Sequence, residues 1–328
     1  MYQMMSLPLY SGTFQEYDSW RDLGQELERL GCDGIEGVWG GEDLPKDLPA
    51  ELILGYHLIF YPDWLDFYRD DRAALKQKFG SLEAVASFYG GLGPDTLLEQ
   101  YRADLRRAVN LGARYVVFHV SDVSLEEGYT YRWLPTNQEV IDAAVEVVNL
   151  ILGEERWPFE FLVENQWWPG FTFTEPEETA RLLEGIRFAG KGILLDTGHL
   201  MNACTELKTE AEGADYIRSM LNRHGSLAKW VRGVHLHQSL SGAYVKAHTG
   251  SLPAGLPEDY MERFGVSYQH ILQIDQHRPW TDPAILSVLE QIEPRYLTHE
   301  LSSRGRMARA EAVSIQTRLL RQGGRMRV

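Results

Sequence analysis

The feature of this sequence that most limits what it can fold into is an alternation that runs its whole length. Short, strongly apolar, β-prone segments are separated by longer stretches of helical periodicity. Such alternation marks parallel strand–helix–strand units, not a block of strands followed by a block of helices. Eight β-prone segments can be read, near Ser6–Leu9, Gly34–Val38, Leu52–His57, Tyr115–His119, Glu160–Glu164, Ile193–Asp196, Gly233–His237 and Tyr296–Glu300. Several are nearly all apolar, as expected of strands covered on both faces. Helix signals fill the gaps. Thr136 and Glu139 form a capping-box pair ahead of the apolar run Val140–Leu152, and Thr281-Asp282-Pro283 sets a cap and then a proline at a helix start. Leu97, Leu98, Tyr101, Leu105, Ala108 and Val109 repeat at helical spacing, with Gly112 as the stop.

Eight such units in 328 residues fit one α/β barrel of the TIM (β/α)8 type. No solenoid repeat, low-complexity tract or linker divides the chain, so a single domain over residues 1–328 is expected. The longest irregular stretch, 239–269, reads as an insertion on the active-site face that could act as a lid. There is no run of about 18 apolar residues, and Met1–Gly12 lacks a signal-peptide pattern, so no membrane association and a cytoplasmic location are expected. Cys32 and Cys204 are too few for a disulfide framework and read as reduced structural thiols. A net charge of −15 disfavours nucleic acid as a partner. Against that average stands a basic C-terminal stretch, Arg304, Arg306, Arg309, Arg318, Arg321, Arg325 and Arg327, which reads as a solvated helix face. This stretch and the insertion are the natural places for a contact in a homo-oligomer.

In a barrel of this kind, polar residues at the C-terminal ends of strands point into a shared site. His57, His119, Glu164, Asp196, His235 or His237, and Glu300 occupy such positions on six consecutive segments. Imidazoles and carboxylates converging there are the N/O donor set of a divalent metal site. Asp196 and His199 sit where a strand turns into a helix, and Asp275 and His277, two apart in an apparently extended stretch, would share a face. His235 and His237 share a face too, so one can ligate while the other contacts substrate. A lone histidine is more often a hydrogen-bonded core residue. Glu164 beside Phe161-Leu162-Val163, Glu300 after Tyr296-Leu297 and Asp196 after Ile193-Leu194-Leu195 are costly to bury unpaired and so point to function or a buried ion pair. Trp167 suits the apolar face of a sugar, and Lys246 and His248 in the insertion are further candidate substrate contacts.

At these residues the chain resembles the xylose isomerase-like TIM-barrel superfamily, which holds sugar isomerases, ketose epimerases and the endonuclease IV-type apurinic endonucleases. The resemblance is carried by Phe161-Leu162-Val163-Glu164-Asn165, Leu194-Leu195-Asp196-Thr197-Gly198-His199, Val231-Arg232-Gly233-Val234-His235-Leu236-His237 and Tyr296-Leu297-Thr298-His299-Glu300. The isomerase and epimerase branch implies one Mn, Mg or Co ion held by Glu164, Asp196, His235 and Glu300, with Glu164 and Glu300 as the proton-transfer pair and His199 orienting substrate. The endonuclease branch implies two or three zinc ions on a larger set, His57, His119, Glu164, Asp196, His199, His235, Asp275, His277 and Glu300. Leu58-Ile59-Phe60-Tyr61-Pro62 does not look like that branch's DNA-contacting loop. The leading expectation is therefore a metal-dependent isomerase or epimerase of a small sugar or polyol. The alternative is a multinuclear zinc hydrolase of a phosphoester, and a noncatalytic sugar-binding barrel is a third class.

Overall fold

The alternation in the sequence closes on itself. In the computed structural model, which describes residues 1–323, the strands are β1 (Tyr2–Leu9), β2 (Gly34–Trp39), β3 (Ile53–His57), β4 (Tyr115–His119), β5 (Glu160–Glu164), β6 (Lys191–Asp196), β7 (Val231–His235) and β8 (Tyr296–His299). All pair in parallel in chain order, and β8 returns to β1 with Tyr2 opposite Tyr296 and Met5 opposite His299. This is the expected (β/α)8 barrel. β7 and β8 stop at His235 and His299, so His237 and Glu300 lie just beyond the strands rather than in them.

Side-chain alternation then builds the barrel interior in layers. Met4, Leu54, Tyr115, Val117, Leu162, Leu194 and Tyr296 form an apolar floor, with the rings of Tyr115 and Tyr296 4.3 Å apart. Gly55 makes room for it, because a Cβ there would stand 2.3 Å from the Tyr115 ring. The next inward residues, His119 above Val117, Glu164 above Leu162 and Asp196 above Leu194, form a polar layer sealed from water below. A second core fills the space between strands and helices.

The helix signals hold with small shifts. Helix Asn137–Leu152 opens on the reciprocal Thr136–Glu139 box, and helix Pro94–Asn110 buries its apolar stripe and is followed by Gly112 at φ 73°. At the third signal Asp282 accepts from the Ala284 N–H at 2.9 Å ahead of helix Ile285–Ile292, while Thr281 bonds Glu210 instead. Residues after β7 form helices Gly242–His248 and Tyr260–Ile274. No helix of the described residues is long and apolar enough to cross a membrane. Both cysteines are free, and burial pushes the Cys32 thiol up to about 12.

The basic C-terminal helix, Arg306–Gln322, differs from the solvated face expected of it. Arg304, Arg318 and Arg321 are exposed, and Arg325 and Arg327 lie outside the described residues. Arg306 and Arg309 instead clasp the region around helix Trp20–Leu30. Arg306 bonds Asp22 at 2.6 and 2.8 Å and Glu26 at 2.8 Å, and buried Arg309 pairs with Glu16 and donates to the Tyr17 hydroxyl at 3.2 Å. Arg309→Ala would remove the partner of Glu16 and one of the two hydrogen bonds of the buried Tyr17 hydroxyl, which keeps Glu26, and is expected to lower unfolding free energy by about 2 kcal/mol. Denaturant titration checks this, and an unchanged midpoint would remove the clasp from the account.

Candidate metal centre

Above the apolar floor, the strand ends and the turns beyond them bring all nine of the expected carboxylate and imidazole donors, together with His237, into three adjoining groups. In each group the donor atoms lie within 4.8 Å of one another. The first is His57, His119 and Glu164. Both His Nε2 atoms face Glu164 Oε2, at 3.3 and 3.1 Å, and lie 3.0 Å from each other. His57 donates from Nδ1 to the Leu58 carbonyl at 2.8 Å, which leaves Nε2 as a lone pair aimed into the group. The second is Glu164, Asp196, His235 and Glu300, with His235 Nδ1 2.8 Å from Glu300, 3.5 Å from Glu164 and 3.7 Å from Asp196. The third is His199, His237, Asp275 and His277, in which Asp275 Oδ2 lies 3.3 Å from His199 Nε2 and 2.6 Å from His277 Nε2. Glu164 belongs to two groups. Asp196 Oδ2 reaches His237 Nε2 at 2.8 Å and so links the second group to the third.

Local chain geometry explains each placement. Asp196 caps helix Thr197–Asn202 by accepting from the His199 N–H at 2.6 Å, which puts His199 on the first turn beside it. Gly198 is required there, since a Cβ would come within 2.0 Å of the His237 ring. Asp275 and His277 do not converge by strand alternation, as their spacing suggested. Asp275 ends helix Tyr260–Ile274, and His277 follows in the left-handed region at φ 45°. That strained backbone is held by His277 Nδ1 against the Glu300 carbonyl at 3.0 Å and by Ser302 N–H on the His277 carbonyl at 3.0 Å.

Other expected contacts fall differently. His237, expected to touch substrate while His235 ligates, takes its own place in a donor group, its ring stacked 4.0 Å from His277. Trp167 lines the cavity above the site, 5.1 Å from the His199 ring. Lys246 and His248 do not line it: Lys246 pairs with Glu206 at 2.7 Å on the surface, and His248 stacks on Tyr244 and bonds its carbonyl. Glu164, Asp196, His235 and His237 are fully buried beneath the cavity, whereas His57, His119, His199, Asp275, His277 and Glu300 line it.

Attention to strand ends passes over Glu36, in mid-strand on β2. It is fully buried, with one oxygen 2.9 Å from His235 Nε2 and the other accepting from the Tyr115 hydroxyl at 2.6 Å and the Thr298 hydroxyl at 2.9 Å. Its charge therefore supports the His235 imidazole from the side opposite the second group, by proximity and not by a hydrogen bond. The signal was a carboxylate inside Gly34-Ile35-Glu36-Gly37-Val38, the same cost that marks Glu164.

The electrostatics suit cations. Burial opposes charge on all these groups, but mutual attraction outweighs it for most. Glu164 is held well below the usual carboxylate range by His119 and His235, and Asp275 likewise by His277 and His199. Despite burial, His199 is raised by Asp196 and Asp275, and His277 is pushed up to about 10 by Asp275. His119 goes the other way, because burial outweighs Glu164. Both Glu164 oxygens, His235 Nδ1, His237 Nδ1, Asp275 Oδ1 and Glu300 Oε2 are buried without a hydrogen-bond partner. Buried donor atoms that converge without hydrogen-bond geometry fit divalent ions, and mixed imidazole–carboxylate sets suit zinc.

The chain belongs to the xylose isomerase-like TIM barrel family, whose model matches residues 25–319. Among solved structures it is similar to endonuclease IV from Thermus thermophilus, at 15% identity and TM-score 0.52 over 98% of this chain and 100% of that one. It is also similar to a D-tagatose 3-epimerase-like protein, at 15% identity and TM-score 0.51 over 99% and 98%, and to the IOLI protein with a bound zinc atom, at 16% and 0.51 over 98% of each. At such identities the likeness is one of fold. No curated protein matches the chain.

Two substitutions test this centre. Glu36→Gln is expected to weaken metal binding roughly 10–100-fold in a chelator competition, the usual cost of losing a ligand's supporting partner. Gly198→Ala should displace His237 and lower bound metal without unfolding the barrel, as read by metal content beside circular dichroism. Wild-type metal affinity in both variants would contradict the geometry described.

Proposed function

We propose that this protein is a multinuclear, metal-dependent phosphoester hydrolase acting on a small molecule. The observation that carries the reading is the convergence of three donor groups joined through Glu164 and Asp196. A mononuclear sugar isomerase would use only the second group and leave His57, His119, Asp275 and His277 without a purpose. It would also need Glu164 at the substrate, yet Glu164 is fully buried, lies outside the cavity lining and is surrounded by the imidazoles of His57, His119, His199 and His235. The isomerase or epimerase reading therefore becomes the second one.

Divalent ions bound here would supply a hydroxide at neutral pH and neutralise charge developing on a phosphoryl group. The chain's own residues do the rest. His57 and His277 are fixed by backbone carbonyls with Nε2 inward, so the donors are arranged before substrate arrives. Glu300, partly exposed at the cavity floor, is placed to take a proton from the attacking water. The water oxygen bonds to phosphorus, the bond to the ester oxygen breaks, and that oxygen leaves with the electron pair and is protonated from solvent. Duplex DNA is disfavoured by the net charge of −15 and by the helix Tyr260–Ile274, residues of which wall the cavity.

The test is turnover of zinc-loaded protein on bis(p-nitrophenyl) phosphate beside an aldose–ketose panel. Phosphodiester cleavage is expected, with His57→Ala and His277→Ala each lowering kcat/KM by roughly 100-fold. Sugar conversion without phosphoester cleavage would replace this reading with the second.

A further inference from the structure

The cavity over the three groups has a volume of about 830 Å³, the size of a site for one small organic molecule. Only its floor is polar in the way a metal centre requires. Phe60 packs on the His119 ring with centroids 4.5 Å apart, and Trp167 stands 5.1 Å from the ring of His199, so aromatic side chains border the floor on both flanks. Helix Tyr260–Ile274 adds Met261, Phe264 and Tyr268 to the wall.

Exposure at the rim is the second observation. Phe60, Met261 and Tyr268 are 48%, 53% and 53% exposed, although each is a large apolar or aromatic side chain. Single exposed apolar residues are ordinary, but three around one cavity mouth mark a binding surface. Charge is the third. Among the described residues, Arg309 is the one lysine or arginine in the lining, and its Nη2 is held by Glu16 and Tyr17. A second phosphate, or the backbone of a nucleic-acid strand, finds no cation along these walls.

We propose that the substrate is a phosphoester with a single phosphoryl group, whose remaining portion is a large, flat, uncharged ring system. The phosphoryl lies on the donor floor, and the ring system occupies the compartment between Phe60, Trp167 and the helix Tyr260–Ile274. This rests on the hydrolase reading for the identity of the phosphoryl, while the ring preference stands on the walls alone.

Non-cleavable probes separate the two. In calorimetric titration of zinc-loaded protein, 2-naphthylphosphonate is expected to bind roughly 10–100-fold more tightly than methylphosphonate, the factor that burial of a ring supplies. Phe60→Ala and Tyr268→Ala, both at half-exposed positions, should each shrink that ratio. Equal affinities in the wild-type protein would overturn the proposal, whatever the variants do. A naphthyl preference in a protein that cleaves neither bis(p-nitrophenyl) phosphate nor p-nitrophenyl phosphate would uphold the ring compartment and overturn the hydrolase reading. Phosphodiester cleavage without a naphthyl preference would do the reverse.

Discussion

The structure depends on one buried carboxylate. Glu164, without exposed surface at the end of β5, is surrounded by His57, His119, His199 and His235, each with a ring nitrogen within 3.5 Å of one of its oxygens. A charge in such a place is stable only if it is matched on all sides. The barrel matches it with imidazoles from β3, β4 and β7 and from the turn after β6, and those imidazoles are in turn held by backbone carbonyls and further carboxylates. The same arrangement that would be an energetic fault in an ordinary core is a ready-made position for a bridging ligand between cations.

Why the barrel tolerates this follows from its layering. The floor of Met4, Tyr115, Leu162, Leu194 and Tyr296 closes the interior from below, and among the described residues the polar layer meets the cavity on its other side. Glu36 reaches up through that floor to His235, supported by Tyr115 and Thr298. Position within the layer sorts the residues by task. Fully buried Glu164, Asp196, His235 and His237 bind the groups together, whereas Glu300, His119 and His277 present edges to the cavity.

Much of this was legible in the sequence. Eight apolar segments, most of them ending in His, Asp or Glu, specify both the strands and the face on which the site lies, because strand alternation is a local rule. The nine donors expected from strand ends and from the resemblance all fall in the three groups. What could not be read depended on contacts between distant elements. His237 appeared as a substrate contact because spacing alone places it on the same face as His235. Only the end of β7 at His235 and the stacked His277 show that it joins another group. Asp275 and His277 were grouped for the wrong reason, since a helix end and a left-handed residue bring them together. Arg306 looked solvated because its partners Asp22 and Glu26, on helix Trp20–Leu30, are 284 and 280 residues away in the chain.

The central claim is that three adjoining donor groups hold metal together. The direct measurement is anomalous scattering from crystals of zinc-loaded protein, with data collected on both sides of the zinc edge. The account predicts distinct peaks at the His57–His119–Glu164, Glu164–Asp196–His235–Glu300 and His199–His237–Asp275–His277 groups, with Glu164 between the first two. A single peak at the second group, with the histidines of the other two hydrogen-bonded to protein or water, would contradict it.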